Sequence, residues 1–485
     1  MGLRNKTISS FLWTSFGTFG SGIIGFLVTI VLARFLTPED FGIVEIVLSL
    51  VVISEVLVDC GFTKAIIREE DVLHKDLSTV FFLNMAIAIL LYAVIFLLAP
   101  ILSSVYSAGE NFIRILRVLS LKIIVDACAV CPTANCNRDM QFNLLAKVSV
   151  VSMILAGGGS FVAIYLGMGI WSLVVYYLAL SVCKTVLIVI FVKWYPRWEF
   201  DLLRAKQFVR FGISLMVGNI VDRGVTSLES LLVGKAFSKG DLGYFSQARK
   251  FDSLIIQNLV GIISKVTYPA LSKLSEPEKL VSGYRDVMGV SIFAITPVAV
   301  FMFFNAENVM TVVFGEQWLP AAKYLQMFSV FSMIVPLYFI CHNIFFVKNE
   351  TRLWLKLTMI MQVVRLIVII ITINISMDAF VLGIVCVMVC SAIMFMYRSG
   401  QLINYTLLKM LRDNAASIIC SLFSVVATKL IISELHIESN LLHMILSVCV
   451  VSIMYLLSNK VLKNRIVDLC FTIVKSFFVK TDRKV

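Results

Sequence analysis

The chain has 485 residues, of which 59% are hydrophobic and only 15% charged, against roughly 25% charged in soluble domains. So few polar residues cannot coat the several soluble domains that this length would otherwise make. The same balance excludes disorder, which needs low hydrophobicity and high charge. The formal net charge of +12 comes from short basic clusters between apolar runs, which suits loops beside an anionic leaflet rather than nucleic acid.

Windows of about 20 apolar residues, enough to cross a bilayer as a helix, predict an all-α polytopic membrane protein. Fourteen spans are expected, near 10–33, 41–60, 80–101, 111–133, 147–167, 170–192, 208–233, 243–268, 286–306, 320–345, 352–375, 378–398, 415–434 and 440–458. The first run is too long for a cleaved signal peptide, and no small-residue cleavage site precedes the second. With the N-terminus placed in the cytoplasm, 28 of the 42 lysines and arginines fall on inner segments and eight on outer segments or adjoining helix ends. That bias predicts that both termini face the cytoplasm. After the last span, Leu462, Ile466, Leu469, Ile473 and Phe477 form an apolar stripe flanked by Lys460, Lys463, Arg465 and Lys475. This tail reads either as an amphipathic helix on the inner leaflet or as a solvated segment.

An internal repeat organises the spans. Residues 32–43 (LARFLTPEDFGI) align with 233–244 (VGKAFSKGDLGY) at an offset of 201. Arg34 meets Lys235, Thr37 meets Ser238, Asp40 meets Asp241 and Gly42 meets Gly243. Further along, Leu116 and Ser120 meet Leu325 and Ser329, and Lys147 meets Lys356, at an offset of 209. An insertion of eight residues near the loop between spans 8 and 9 reconciles the two offsets. Two six-span copies have the same orientation, which implies an axis along the membrane normal and a cavity between the halves. The expected organisation is a six-helix lobe over 1–206, a second over 207–410, two extra helices over 411–459 and the basic tail over 460–485. In each repeated turn Thr37 or Ser238 is placed as an N-cap, with an acid three positions later as in a capping box. Gly17, Ser21 and Gly25 give span 1 a small-residue face, for close packing or for a cavity wall.

Charges within spans are costly, about 2.5–3.5 kcal/mol on insertion scales, and usually meet a partner or a cavity. Lys122 and Asp126 stand at i, i+4, close enough to pair. Glu55 and Asp59 lie in span 2, Asp222 and Arg223 in span 7, Arg249 and Lys250 in span 8, and Arg365 in span 11. Lys184 and Lys429 are expected to snorkel. Six deep bases (Lys122, Lys184, Arg223, Lys265, Arg365 and Lys429) exceed the mid-span acids, and a cationic cavity suits a phosphate or pyrophosphate head group. Arg223, Arg365, Arg249, Lys250 and Lys122 are therefore candidate ligands for such a group. Asp222, Asp126 and Glu55 are candidate proton or ion carriers.

Motifs for catalysis are missing. There is no P-loop and no GxGxxG, so direct ATP use is not expected. The cysteines mostly lie in apolar segments, and Cys128, Cys131 and Cys136 lack a fourth metal ligand nearby. Neither enzymatic activity, nor a cofactor, nor a metal is expected.

Several stretches together resemble the polysaccharide transporter family of bacterial flippases, the Wzx group, within the superfamily that also holds MATE exporters and the lipid II flippase. They are LARFLTPEDFG (32–42), VDCGFTKAIIREEDVLHKDLSTVFFLN (58–84), FGISLMVGNIVD (211–222), GKAFSKGDLGYFSQARK (234–250), YPALSKL (268–274), GEQWLPAAKYLQMF (315–328) and SGQLINYTLL (399–408). The resemblance is strongest to the exporters of colanic acid and capsule type. It implies fourteen helices in two lobes plus two extra helices, working by alternating access in the bacterial inner membrane. It implies a substrate of undecaprenyl-pyrophosphate-linked oligosaccharide repeat units, with membrane lipids and polysaccharide polymerase or assembly proteins as partners. Two alternatives stay open at this point: a MATE-like small-molecule exporter, and a membrane glycan polymerase or ligase. The short expected loops give the second no place for a large catalytic segment.

Overall fold

A computed structural model describes residues 3–69, 72–219, 223–257, 259–260, 271, 276–434 and 439–470. The described chain is helical and packs into two compact units, residues 1–246 and 247–485.

The first unit contains α1 (Leu3–Phe35), α2 (Pro38–Asp59), α3 (Phe62–Arg68), α4 (His74–Tyr106), α5 (Gly109–Leu119), α6 (Leu121–Arg138), α7 (Phe142–Tyr165) and α8 (Trp171–Val192). It continues through α9 (Leu202–Asn219), α10 (Val225–Ala236) and the first half of α11 (Lys239–Asp252). In a bilayer no water is present to satisfy exposed backbone groups, so each span must close its own hydrogen bonds as a helix. Small residues then set how closely the helices approach. A Cβ at Gly17 would stand 2.6 Å from the Ala146 side chain, and one at Gly157 would stand 2.6 Å from Val28. The small-residue face of α1 is thus a packing face against α7.

The second unit contains α12 (Pro277–Phe304), α13 (Ala306–Phe314), a 3-10 turn (Glu316–Ala321), α14 (Ala322–Ser332), α15 (Val335–Val347), α16 (Thr351–Thr372), α17 (Met377–Ile403), α18 (Leu407–Ser433) and α19 (Asn440–Val461). Tyr284 on α12 is fully buried, with its hydroxyl 3.0 Å from the Cys341 sulfur on α15. After α19 the chain turns back onto its own unit. The Asn464 amide donates to Ser417 Oγ at 2.9 Å, Arg465 pairs with Asp286, and Ile466 is buried against Gly289. Within the tail's apolar stripe Ile466 is therefore held by protein, while Leu462 is exposed; Ile473 and Phe477 lie outside the described residues.

Among the described residues, nine helices are long and apolar enough to cross a membrane, and counting one bent pair as a single span gives ten. Among the described residues, several expected spans depart from single straight helices; the one expected at 243–268, for instance, passes from α11 into a π-helix at Ser253–Gln257. The span expected at 111–133 is two helices, because α5 is amphipathic: Phe112, Ile115 and Leu119 are buried while Arg114 is exposed. Of the span expected at 208–233, α9 and α10 are described, with π-helical backbone at 223–224 leading into α10; residues 220–222 between them lie outside the described residues. The span expected at 320–345 bends by 42° between α14 and α15. Pro336 sits in the first turn of α15 and supplies no backbone N–H there, which accounts for the kink. Much of the stretch where the eight-residue insertion is expected, residues 261–270 and 272–275, lies outside the described residues.

Candidate substrate and ion site

The first unit gathers three charges that lie far apart in sequence. Lys122, at the start of α6, donates to Asp126 one turn on and to Glu55 on α2. Ser181 on α8 donates to the second oxygen of Asp126. Beside it, Thr185 Oγ1 donates to the Val125 carbonyl at 3.1 Å. The Lys122 side chain is 18% exposed, Glu55 26% and Asp126 29%, so the three are partly shielded from solvent. One ammonium between two carboxylates leaves one negative charge, and a single proton or monovalent cation would neutralise the group. The i, i+4 spacing signalled the Lys122–Asp126 pair. Glu55 and Ser181 belong to the same cluster, and nothing in the local sequence of α6 signals them.

The repeated turns also meet in space. Thr37 Oγ1 accepts from the Asp40 amide at 3.3 Å, and Asp40 Oδ2 accepts from the Thr37 amide at 3.0 Å. Ser238 and Asp241 form the same box, at 3.0 and 3.3 Å. These residues are caps, as their spacing predicts. The turns lie against each other through glycines. A Cβ at Gly42 would stand 1.8 Å from the Lys239 carbonyl oxygen, and one at Gly243 would stand 1.9 Å from the Pro38 carbonyl oxygen. Adding 201 turns Gly42 into Gly243 and Pro38 into Lys239, so one contact is made twice across a local two-fold. Gly234 extends the joint: a Cβ there would stand 2.8 Å from Ile46. Below it the Ser230 hydroxyl donates to Glu45 at 3.4 Å, both residues being buried.

A third arrangement ties the segment 193–201, between α8 and α9, to the start of α4. Arg204 on α9 makes a two-pronged contact with Asp76, at 2.8 and 2.9 Å, and reaches Glu69 at 3.1 Å. The backbone amides of Arg197 and Asp201 donate to Ser78 Oγ and Thr79 Oγ1, each at 3.1 Å. Lys75 pairs with Asp201 at 3.1 Å. Hydrogen bonds from the Arg204 amide and from Lys75 hold the Asp201 carboxyl below its ordinary range. Trp198 stacks on Phe82 with ring centroids 5.2 Å apart. In the sequence, Arg197 and Arg204 stand only as basic residues between apolar runs. The acids at 69 and 76 were the available signal for this strap.

The remaining candidates stand on other elements. Arg223 is exposed in the π turn before α10. Arg249 and Lys250 are half-buried near the end of α11, and Arg365 is half-buried on α16. Lys122 and Arg223 belong to the first unit, and Arg249, Lys250 and Arg365 to the second. Asp222 and Lys265 lie outside the described residues. Asp252, just beyond Lys250, is buried and accepts from Ser332 at 2.7 Å.

The apolar helices define a multi-pass membrane protein, with one repeated turn contact made twice within it. Residues 31–323 match the model of the polysaccharide biosynthesis protein family; the chain belongs to that family. It is 22% identical over 335 residues to the teichuronic acid biosynthesis protein TuaB of Bacillus subtilis strain 168, covering 68% of this chain and 69% of TuaB. It is 26% identical over 341 residues to the lipopolysaccharide biosynthesis protein WzxC of Escherichia coli strain K12, covering 69% and 68%. Among solved structures, the lipid II flippase MurJ in an inward closed conformation superposes with a TM-score of 0.76, over 93% of this chain and 99% of MurJ, at 15% identity. That likeness establishes the fold.

Proposed function

We propose that this protein is a flippase. It carries undecaprenyl-pyrophosphate-linked oligosaccharide repeat units of an O-antigen, capsule or exopolysaccharide across the bacterial inner membrane by alternating access. The observation that carries this reading is that the family match and the fold agree: a polysaccharide biosynthesis sequence adopts, over 93% of its length, the fold of a lipid II flippase. Both termini face the cytoplasm, following the lysine and arginine bias. The protein performs no covalent chemistry. Arg223, Arg365, Arg249 and Lys250 serve the pyrophosphate, because guanidinium and ammonium groups are the side chains that neutralise it; Lys122 joins them only when a proton or cation has neutralised its two carboxylates. Glu55 and Asp126 couple transport to an ion, most simply a proton, through the single negative charge they share around Lys122. Asp222 is a further candidate for that role. A polymerase and assembly proteins receive the product on the outer leaflet.

The test is the lipid-linked glycan pool of a host lacking the protein. Complete repeat units held on the cytoplasmic leaflet are expected. Units already on the outer leaflet would place the block at polymerisation or ligation instead, and an unchanged pool would refute the substrate. Transport into vesicles that persists without a proton gradient would remove the coupling role of Glu55 and Asp126.

A further inference from the structure

The second unit contains an apolar groove of about 520 Å³ between α12, α14 and α17, within the roughly 300–1,000 Å³ usual for ligand sites. Phe303, Met327, Val330, Leu382, Val385 and Val389 line it. Leu382 and Val330 are exposed, at 52% and 41%, so the groove is open along one side. Lys323 belongs to its lining and pairs with Asp378 at 2.6 Å. Lys323 stands in the first turn of α14 and Asp378 in the first turn of α17, so both helices run away from this pair in the same direction. From Asp378 to Cys390 is twelve residues, about 18 Å of helix, which is close to half of the roughly 30 Å hydrocarbon thickness. A charged pair at one end and an apolar trough one leaflet deep form an amphiphile-shaped site.

The pair also indicates what kind of head group fits. Lys323 and Asp378 are half-exposed, 47% and 53%, and together carry no net charge. A pyrophosphate or an anionic head group would gain from the lysine and be repelled by the carboxylate. A head group that carries both a phosphate and an ammonium satisfies each partner. We infer that this groove holds one zwitterionic phospholipid of the phosphatidylethanolamine type. Its phosphate meets Lys323, its ammonium meets Asp378 and one acyl chain lies along α17. With the orientation proposed above, the site belongs to the outer leaflet.

The purified full-length chain, stripped of lipid in detergent, tests this by native mass spectrometry with added phosphatidylethanolamine, phosphatidylglycerol or undecaprenyl pyrophosphate. One phosphatidylethanolamine is expected to bind about tenfold more tightly than phosphatidylglycerol. Leu382→Trp with Cys386→Trp fills the trough at two exposed positions and should abolish that binding while the protein stays folded. Lys323→Ala should weaken binding about tenfold. The charge swap Lys323→Asp with Asp378→Lys keeps an ion pair for folding and should retain preference for the zwitterion. Equal or tighter binding of phosphatidylglycerol, tightest binding of undecaprenyl pyrophosphate, or undiminished phosphatidylethanolamine binding by the filled variant would each overturn the assignment. Transport is not measured, so failure here leaves the flippase reading untouched, and failure of that reading leaves the groove untouched.

Discussion

At the scale of single residues, Lys122 shows how one side chain makes a site from separate helices. Its two carboxylates are on α2 and α6, and Ser181 on α8 completes the shell around Asp126. Removing the ammonium leaves two shielded acids facing each other, and breaking a buried pair from one side typically costs about 3–5 kcal/mol. Lys122→Met should therefore lower the unfolding temperature strongly in detergent. Adding Glu55→Gln and Asp126→Asn to it should restore most of that loss, because no uncompensated charge remains. If both acids couple transport, neither variant carries substrate; a triple variant that transports normally would show the cluster to be structural only. Half of this cluster was legible, since Lys122 and Asp126 are one helical turn apart. Glu55 is 67 positions before Lys122, and only packing discloses that α2 lies beside α6. The deep arginines show the opposite limit. Their depth was read from hydropathy, and hydropathy carries no sign of the π-helical backbone in which Arg223 stands exposed.

Among the elements, the strap at 193–201 is the segment whose chemistry depends on conditions. Its Asp201 carboxyl is held below the ordinary range. The carboxylate therefore contributes its full stability above the ordinary aspartate value, and that contribution is lost as pH falls through the depressed folded-state value. Protection of the Arg197 and Asp201 amides against hydrogen exchange, corrected for intrinsic exchange rates, should drop at acid pH. In Asp201→Asn the drop should already be present at neutral pH. Arg204→Ala removes both prongs from Asp76, whose side chain is only 3% exposed. We expect a loss of about 2–3 kcal/mol, less than for a fully buried pair because Arg204 is 30% exposed. A melting temperature unchanged from the parent would contradict that. The helices themselves were largely legible, because an apolar run of span length has one stable form in lipid. The breaks were less so: the kink at Pro336 has a local cause, whereas the split of the 111–133 region depends on which face of α5 finds protein to bury it.

For the whole molecule, one contact of the sequence repeat is visible in three dimensions. Offsets of 201 and 209 come from likeness of residue type alone, and the first of them maps the Gly42 contact onto the Gly243 contact. The sequence could not say that the two copies touch at that turn. If the proposed alternating access opens and closes this joint, its geometry supplies a reporter. A disulfide between Glu39→Cys and Gly240→Cys should form readily, because a Cβ at Gly240 would stand 3.7 Å from the Glu39 side chain. Gly42→Val drives side-chain atoms into the Lys239 backbone, an overpacking that costs about 1–3 kcal/mol. It should slow formation of that disulfide about tenfold and shift the protein toward the state in which the joint is open. Cross-linking at the parental rate would mean that the turns separate and rejoin without steric hindrance.

The joint leaves an inheritance as well as a hinge. One steric rule, that no side chain fits where a backbone carbonyl sits within 2 Å, binds two codons separated by 201 positions. A selection on any glycan should therefore find glycine demanded at 42 and at 243 alike. The neighbouring capping pairs, which need only an acceptor and an acid, have room to drift. The two halves are free to diverge over most of their length, but at this pair of glycines the second copy is still held to the first.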